Sequence, residues 1–182
     1  MPTSKELRKF QNSNSMSLLL TSLLIFSFKN TLAQETQIEI NNHVWKPFIE
    51  NVNKSSTPVF MALHSKDAVR SPRVAKTIWN RDNCNKRQSA GDLEDKKQNR
   101  KRTLELHLTE SIVKGDLAFD VGVYRTSYLL LDGKTENYYG RFHVVMRKEK
   151  GVWKILIDTD SSEGGTIEEK DFLAANAMKR HF

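Results

Sequence analysis

Cysteine is all but missing from this 182-residue chain: Cys84 stands alone, so no disulfide can form within it. Zinc sites need closely spaced Cys and His ligands, and the five His are scattered; neither a metal nor a cofactor is expected. Glycine and proline are scarce, at eight and four residues, which excludes collagen-like and Pro/Gly-rich low-complexity chains. No long apolar run is present either. The most apolar stretch, Met16–Phe28, has thirteen residues, short of the roughly 20 that a membrane-spanning helix needs. What remains, with 28% charged and 38% hydrophobic residues, is the composition of one packed globule.

That apolar stretch follows Lys5, Arg8 and Lys9, and Thr31-Leu32-Ala33 behind it places small residues where a signal peptidase reads. The pattern predicts a signal peptide over residues 1–33, with cleavage before Gln34. The alternative is an apolar helix packed on the domain, and a start at Met16 would remove the basic lead. Export would leave residues 34–182, 149 residues, as a single periplasmic or secreted domain without a transmembrane span. A domain of this size buries about 70% of the surface of its unfolded chain and can stand without disulfides.

Charge of one sign is also unevenly spread. The chain carries a formal +7, yet residues 70–102 alone hold eleven Lys and Arg against four Asp and Glu. Such a segment suits a polyanion, but Trp79 is its one aromatic and no nucleic-acid motif accompanies it. Nucleic acid is therefore not the expected partner. A solvated helix or a loop over a pocket mouth is the favoured reading of the segment, and a polyanion-binding module the alternative.

The periodicity changes once along the chain. Asn41, Val44, Trp45, Phe48 and Val52 recur at helical spacing and predict an amphipathic helix over 37–52, with Pro47 marking a kink or a later start. Thr57-Pro58 reads as an N-cap and first helical position of a short helix that buries Phe60 and Leu63 and ends at Lys66-Asp67. From Thr103 the pattern alternates instead. Four runs, the last Val152–Thr159 with Trp153, Ile155 and Ile157 on one face, are separated by Lys114-Gly115-Asp116, Asp132-Gly133-Lys134 and Lys150-Gly151. They predict a four-stranded antiparallel meander. Thr166 and Glu169 read as the capping box of a final helix. Helices followed by a twisted antiparallel sheet make an α+β fold.

The helix, the run Phe60–Val69, and the strands carrying Tyr138-Tyr139-Gly140-Arg141-Phe142 and Gly151-Val152-Trp153-Lys154-Ile155 together resemble the nuclear-transport-factor-2-like superfamily. More narrowly they resemble its SnoaL-like proteins, over residues 39–160. The resemblance implies a cone-shaped, cystatin-like α+β fold with N-terminal helices on a curved antiparallel sheet, a pocket between them, and a homodimer packed sheet to sheet. It implies no single function, because enzymes and pure binding domains share this fold. Members resembling ketosteroid isomerase use a phenol from the first helix and a carboxylate base just after the second. The matching positions here hold Phe48, and Ser71 with Pro72, none of which can do that chemistry.

The candidate pocket residues are Trp45, Phe48, Trp79, Asp120, Tyr124, Tyr139, His143 and Asp158, with Arg141 and Asp160 beside them in sequence. Alternation puts Asp120 with Tyr124 on one face, Tyr139 with Arg141 and His143 on one face, and Asp158 with Asp160 on one face. It does not say whether the three sets share a face. His143 or Asp120 with Tyr124 could serve an isomerase, lyase or cyclase; surface and cross-strand packing are the plainer roles for His143, Tyr124 and Tyr139. The run Asp158–Glu169 spaces oxygen ligands like a calcium loop but has Glu163 where the loop needs glycine; a glycine turn into a helix is the plainer reading. The expected function is small-molecule binding in the cone with the ligand and any chemistry unassigned, an enzyme in the same pocket being the alternative.

Overall fold

The computed structural model describes residues 34–177. The expected signal peptide, residues 1–33, lies outside them. Among the described residues no helix is long and apolar enough to cross a membrane. Residues 34–40 are helical, and a π-helical turn, Asn41–Trp45, leads into helix α1, Lys46–Asn53. The π turn answers the Pro47 problem. Proline cannot donate and crowds the carbonyl four residues back, and the wider turn, closed by Lys46 N–H on Asn41 O, places Pro47 in the first turn of α1.

Helix α2 spans Thr57–Ala62 with Phe60 buried, as the sequence predicts, but its N-cap is Ser56 rather than Thr57. Thr57 instead donates through Oγ1 to Asp92 Oδ2 at 2.6 Å. Leu63 is buried as expected, yet the helix does not run on to Lys66-Asp67. His64–Pro72 forms strand β1. After it come β2, Trp79–Asn80, and helix α3, Arg81–Lys97, capped by Asn80 Oδ1 on Asn83 N–H at 2.9 Å.

The predicted meander is present as β3 Lys101–Lys114, β4 Leu117–Leu129, β5 Thr135–Glu149 and β6 Val152–Ser161. Lys150 and Gly151, at φ of 51° and 84°, make the tight reversal into β6, which is why glycine stands there. Helix α4, Glu169–Ala174, and the short β7, Asn176–Ala177, close the described chain. The capping box of α4 is Glu168 with Asp171, not Thr166 with Glu169; Thr166 donates to Glu163 O instead. Among the described residues the sheet has seven strands in the order β2-β1-β6-β5-β4-β3-β7, and β1 runs parallel to β6, so it is mixed rather than wholly antiparallel.

Its pairing shifts register at three places among the described residues: between His64 and Val69 in β1, at Thr109 in β3, and at Leu156 in β6, where Ile155 pairs with Met146 but Ile157 with Val145. The last corrects the sequence reading. The extra residue turns Ile157, 37% exposed, away from Trp153 and Ile155, which are buried in the core with Val44, Trp45, Phe142 and Val144. Asp158 and Asp160, paired with Val144 and Phe142, turn toward the helices in its place.

Gly122 and Gly140 sit on the helix-facing side of the sheet, beneath the rings of Phe142 and Tyr124. A Cβ on Gly122 would also collide with the carbonyl oxygen of His107, which no rotamer change relieves. Gly122→Ala is therefore expected to destabilise the fold by about 2 kcal/mol, read as a lower urea midpoint. The atoms nearest a Cβ on Gly140 belong to the movable Tyr124 ring, so Gly140→Ala should cost distinctly less; equal costs would contradict this account.

Candidate functional site

Between α1, α2, α3 and the concave face of the sheet lies a cavity of about 210 Å³. Its walls follow from the patterns above. Helix α1 and the residue before it supply Trp45, Phe48 and Val52, α2 supplies Phe60, and β3 and β5 supply Leu104, Leu106, Phe142 and Val144. The aromatic rings interlock, with Trp45 5.8 Å from Phe48 and 5.3 Å from Phe142, and Phe48 5.0 Å from Phe60. Ring pairs in such geometry stabilise this apolar wall beyond their burial alone.

One end is polar. Arg70 of β1, Tyr124 of β4 and the β6 pair Asp158 and Asp160 meet there. Arg70 Nη2 donates to Asp160 Oδ1 at 3.0 Å, and Arg70 Nε stands 3.5 Å from Asp158 Oδ2 without hydrogen-bond geometry. The Asp158 side chain is only 7% exposed. Burial pushes its pKa up, Arg70 pulls it down and Asp160 pushes it up again. The Tyr124 phenol is pushed up to about 12, chiefly by burial and then by Asp160, so at neutral pH it stays protonated and can donate. Cys84 of α3 is buried beside Arg70 and its thiol is also pushed up by burial, which makes it a poor nucleophile.

Gln88, Arg102, Thr126 and Tyr128 complete the lining. Arg102 is held by Asp92 at 2.8 Å and Asp95 at 3.2 Å and donates to Val52 O at 3.0 Å. Arg100 pairs with Asp95 at 2.6 Å. Much of the basic segment is thus committed internally. Arg81 donates to Met61 O, Arg73 pairs with Glu163 and Arg87 lies over Trp79. The rest of α3 is a largely exposed helix, with Cys84, Asp92 and Asp95 turned inward.

Register decides which candidate residues meet. Trp45, Phe48, Tyr124 and Asp158 line the cavity together. Asp120 shares their face of the sheet but is fully buried outside the lining, its Oδ2 accepting from Trp45 Nε1 at 2.7 Å and its Oδ1 from Ser111 at 2.6 Å. It anchors Trp45 to the sheet. Tyr139, Arg141 and His143 pair with Arg125, Val123 and Val121 on the opposite, convex face. There His143 stacks on Phe119 at 6.3 Å, and Tyr139 lies 6.2 Å from Phe172 of α4. Trp79 sits on the edge strand β2 under Arg87, outside the cavity. Neither His143 nor Asp120 can therefore work with Tyr124 on one ligand. Ser71 and Pro72 contribute nothing to the lining either, Ser71 donating to Thr77 O.

Asp158 and Asp160 are strand residues facing the cavity, not the arm of a calcium loop, and among the described residues no cluster of His, Cys, Asp or Glu could hold a metal. The residue most clearly missed from sequence is Arg70. It reads there as one cation in a basic run, and β1 carries little strand signal because its position rests on parallel pairing with β6.

Helices on the concave face of a strongly bent mixed sheet, enclosing a cavity, define the nuclear-transport-factor-2-like, cystatin-like class of α+β fold, and this chain has it. The sequence matches no protein-family model, and no curated protein is similar to it in sequence. Among solved structures, a nuclear-transport-factor-2-like protein with a cystatin-like fold from Novosphingobium aromaticivorans is similar at a TM-score of 0.59 and 11% identity, over 72% of this chain and 84% of that one. A protein with a cystatin-like fold from Caulobacter vibrioides is similar at 0.55 and 18% identity, over 70% and 89%. A nuclear-transport-factor-2-like protein of unknown function from Pseudomonas putida KT2440 is similar at 0.55 and 16% identity, over 71% and 87%. At these identities the likeness is one of fold alone.

Proposed function

We propose that this protein binds a small organic molecule with an apolar body in the cavity between helices and sheet. One observation carries the reading: an aromatic-walled cavity of about 210 Å³ ends on a buried carboxyl, Asp158, that makes no hydrogen bond among the described residues. Apolar walls with a few convergent polar groups are the usual form of a ligand site. The volume exceeds the roughly 150 Å³ that accommodates benzene and falls below the roughly 300 Å³ at which drug-sized sites begin, so the ligand has one or two rings.

Thermal-shift screening of a metabolite panel tests the reading. The wild-type protein should be stabilised by members with a compact apolar body. Leu106→Trp, which fills the cavity from β3, should fold and lose that response. A panel without hits on the wild-type protein, or hits unaffected by Leu106→Trp, would overturn it.

A proton-transfer enzyme is the second reading, favoured by the raised pKa of Asp158 beside the protonated Tyr124 hydroxyl. Conversion of a bound compound to product selects it, and Asp158→Asn should then abolish turnover. Export and a homodimer belong to the same proposal. The basic lead, apolar stretch and small residues of positions 1–33 support cleavage before Gln34, which N-terminal sequencing of the exported protein checks. Light scattering checks the dimer.

A further inference from the structure

We propose that the cavity selects an organic cation: a protonated amine carried on the compact apolar body. This rests on the small-molecule reading above and adds the ligand's charge. The polar end holds two carboxylates, Asp158 and Asp160, against the single guanidinium of Arg70. The other cation in the wall, Arg102, is already offset by Asp92 and Asp95. With both carboxylates ionised, the end of the cavity carries an excess negative charge. Beside side chains as buried as Asp158 such an excess is felt more strongly than in water.

Asp158 supplies the second, independent observation. Its side chain is 7% exposed, lines the cavity and has Arg70 Nε at 3.5 Å as its one ion-pair partner. No hydrogen bond satisfies it among the described residues, and Oδ2 is buried without one. A buried carboxylate in that state is destabilised until a donor reaches it. An ammonium group supplies both the missing donor and the missing charge. A hydroxyl supplies the donor alone, and a carboxylate ligand would be repelled.

The walls point the same way. Trp45, Phe48, Phe60, Tyr124 and Phe142 present aromatic rings around one small space, and ring faces attract a desolvated cation. The Tyr124 hydroxyl stays protonated at neutral pH and remains available for an acceptor next to the ammonium.

Four probes with one ring body test this by calorimetry on the full protein at pH 7: benzylamine, benzyl alcohol, toluene and benzoate. Benzylamine should bind about tenfold tighter than benzyl alcohol, and benzoate weakest of the four. Asp158→Asn should remove the preference of amine over alcohol. Asp160→Asn should weaken it partly. Alcohol or benzoate binding as tightly as the amine would overturn the cation inference and leave the cavity reading standing; no binding by any probe, toluene included, would overturn both. If Asp158→Asn fails to fold, the amine-to-alcohol ratio in the wild-type protein and in Asp160→Asn decides the matter.

Discussion

Arg70→Met should destabilise the folded domain by about 3 kcal/mol at pH 7, because removing one partner of a buried ion cluster leaves the other charges uncompensated. Among the described residues Arg70 is the one guanidinium paired with Asp158 and Asp160, and burial already opposes charge on Asp158 while Arg70 is the group that favours it. Without Arg70 the Asp158 pKa rises further. A carboxyl whose folded-state pKa exceeds its unfolded value takes up a proton in the native state first, so its unfavourable contribution fades as pH falls through that raised pKa. The deficit of Arg70→Met relative to wild type should therefore shrink as the pH falls below 7. Adding Asp158→Asn should restore much of the loss at pH 7. Urea unfolding of the two single variants and the double variant measures this. A deficit independent of pH and of Asp158 would show that Arg70 contributes packing alone.

Acid destabilisation centred on His64 is the second large effect. His64 is 6% exposed, Nδ1 donates to Phe60 O at 3.0 Å and Nε2 is buried without a partner. Burial pulls its pKa down to about 4, against the Phe60 carbonyl and with help from Arg70, Arg81 and Lys154. The unfolded chain takes up this proton near pH 6.5, the native state only near pH 4. Between those values the unfolded state binds more protons, so stability falls as pH drops from about 6.5 to about 4, by roughly 3 kcal/mol in all. His64→Asn keeps an N–H donor where Nδ1 stands and removes the titration. Its stability curve should be flatter across that window, and the His64 ring in the wild-type protein should show no NMR titration above pH 5. A His64 titration near pH 6.5 would refute the assignment.

Much of the scaffold was legible in the sequence, and most of the site was not. Trp45 and Phe48 stand where helical spacing places them, and Phe60 and Leu63 are buried as the Thr57-Pro58 helix implied. The acid and base pairing of His143 with Tyr124 failed on register: His143 pairs with Val121 and Tyr124 with Gly140, on opposite faces. In β5 the alternation separates Arg141, His143 and Arg147 from Phe142, Val144 and Met146, but in β4 apolar residues stand on both sides, so which face Tyr124 shares is set by the register between the strands. The run His64–Pro72 was equally silent. Read alone, the Thr57-Pro58 helix ends only at Lys66-Asp67 and nothing after it signals a strand; in the fold, pairing with β6 makes His64–Pro72 a strand and brings Arg70 to Asp158 and Asp160.

The sequence by itself determined the elements whose causes are local: the apolar stripe of α1, the four alternating strands, and the reversal at Lys150-Gly151 where the backbone needs positive φ. Tertiary structure alone decided the polar end of the cavity. One extra residue, Leu156, breaks the alternation of β6, sends Ile157 outward and turns Asp158 and Asp160 in. A strand's side chains change face with every single-residue shift, and that shift is set by the partner strand rather than by the residues it moves.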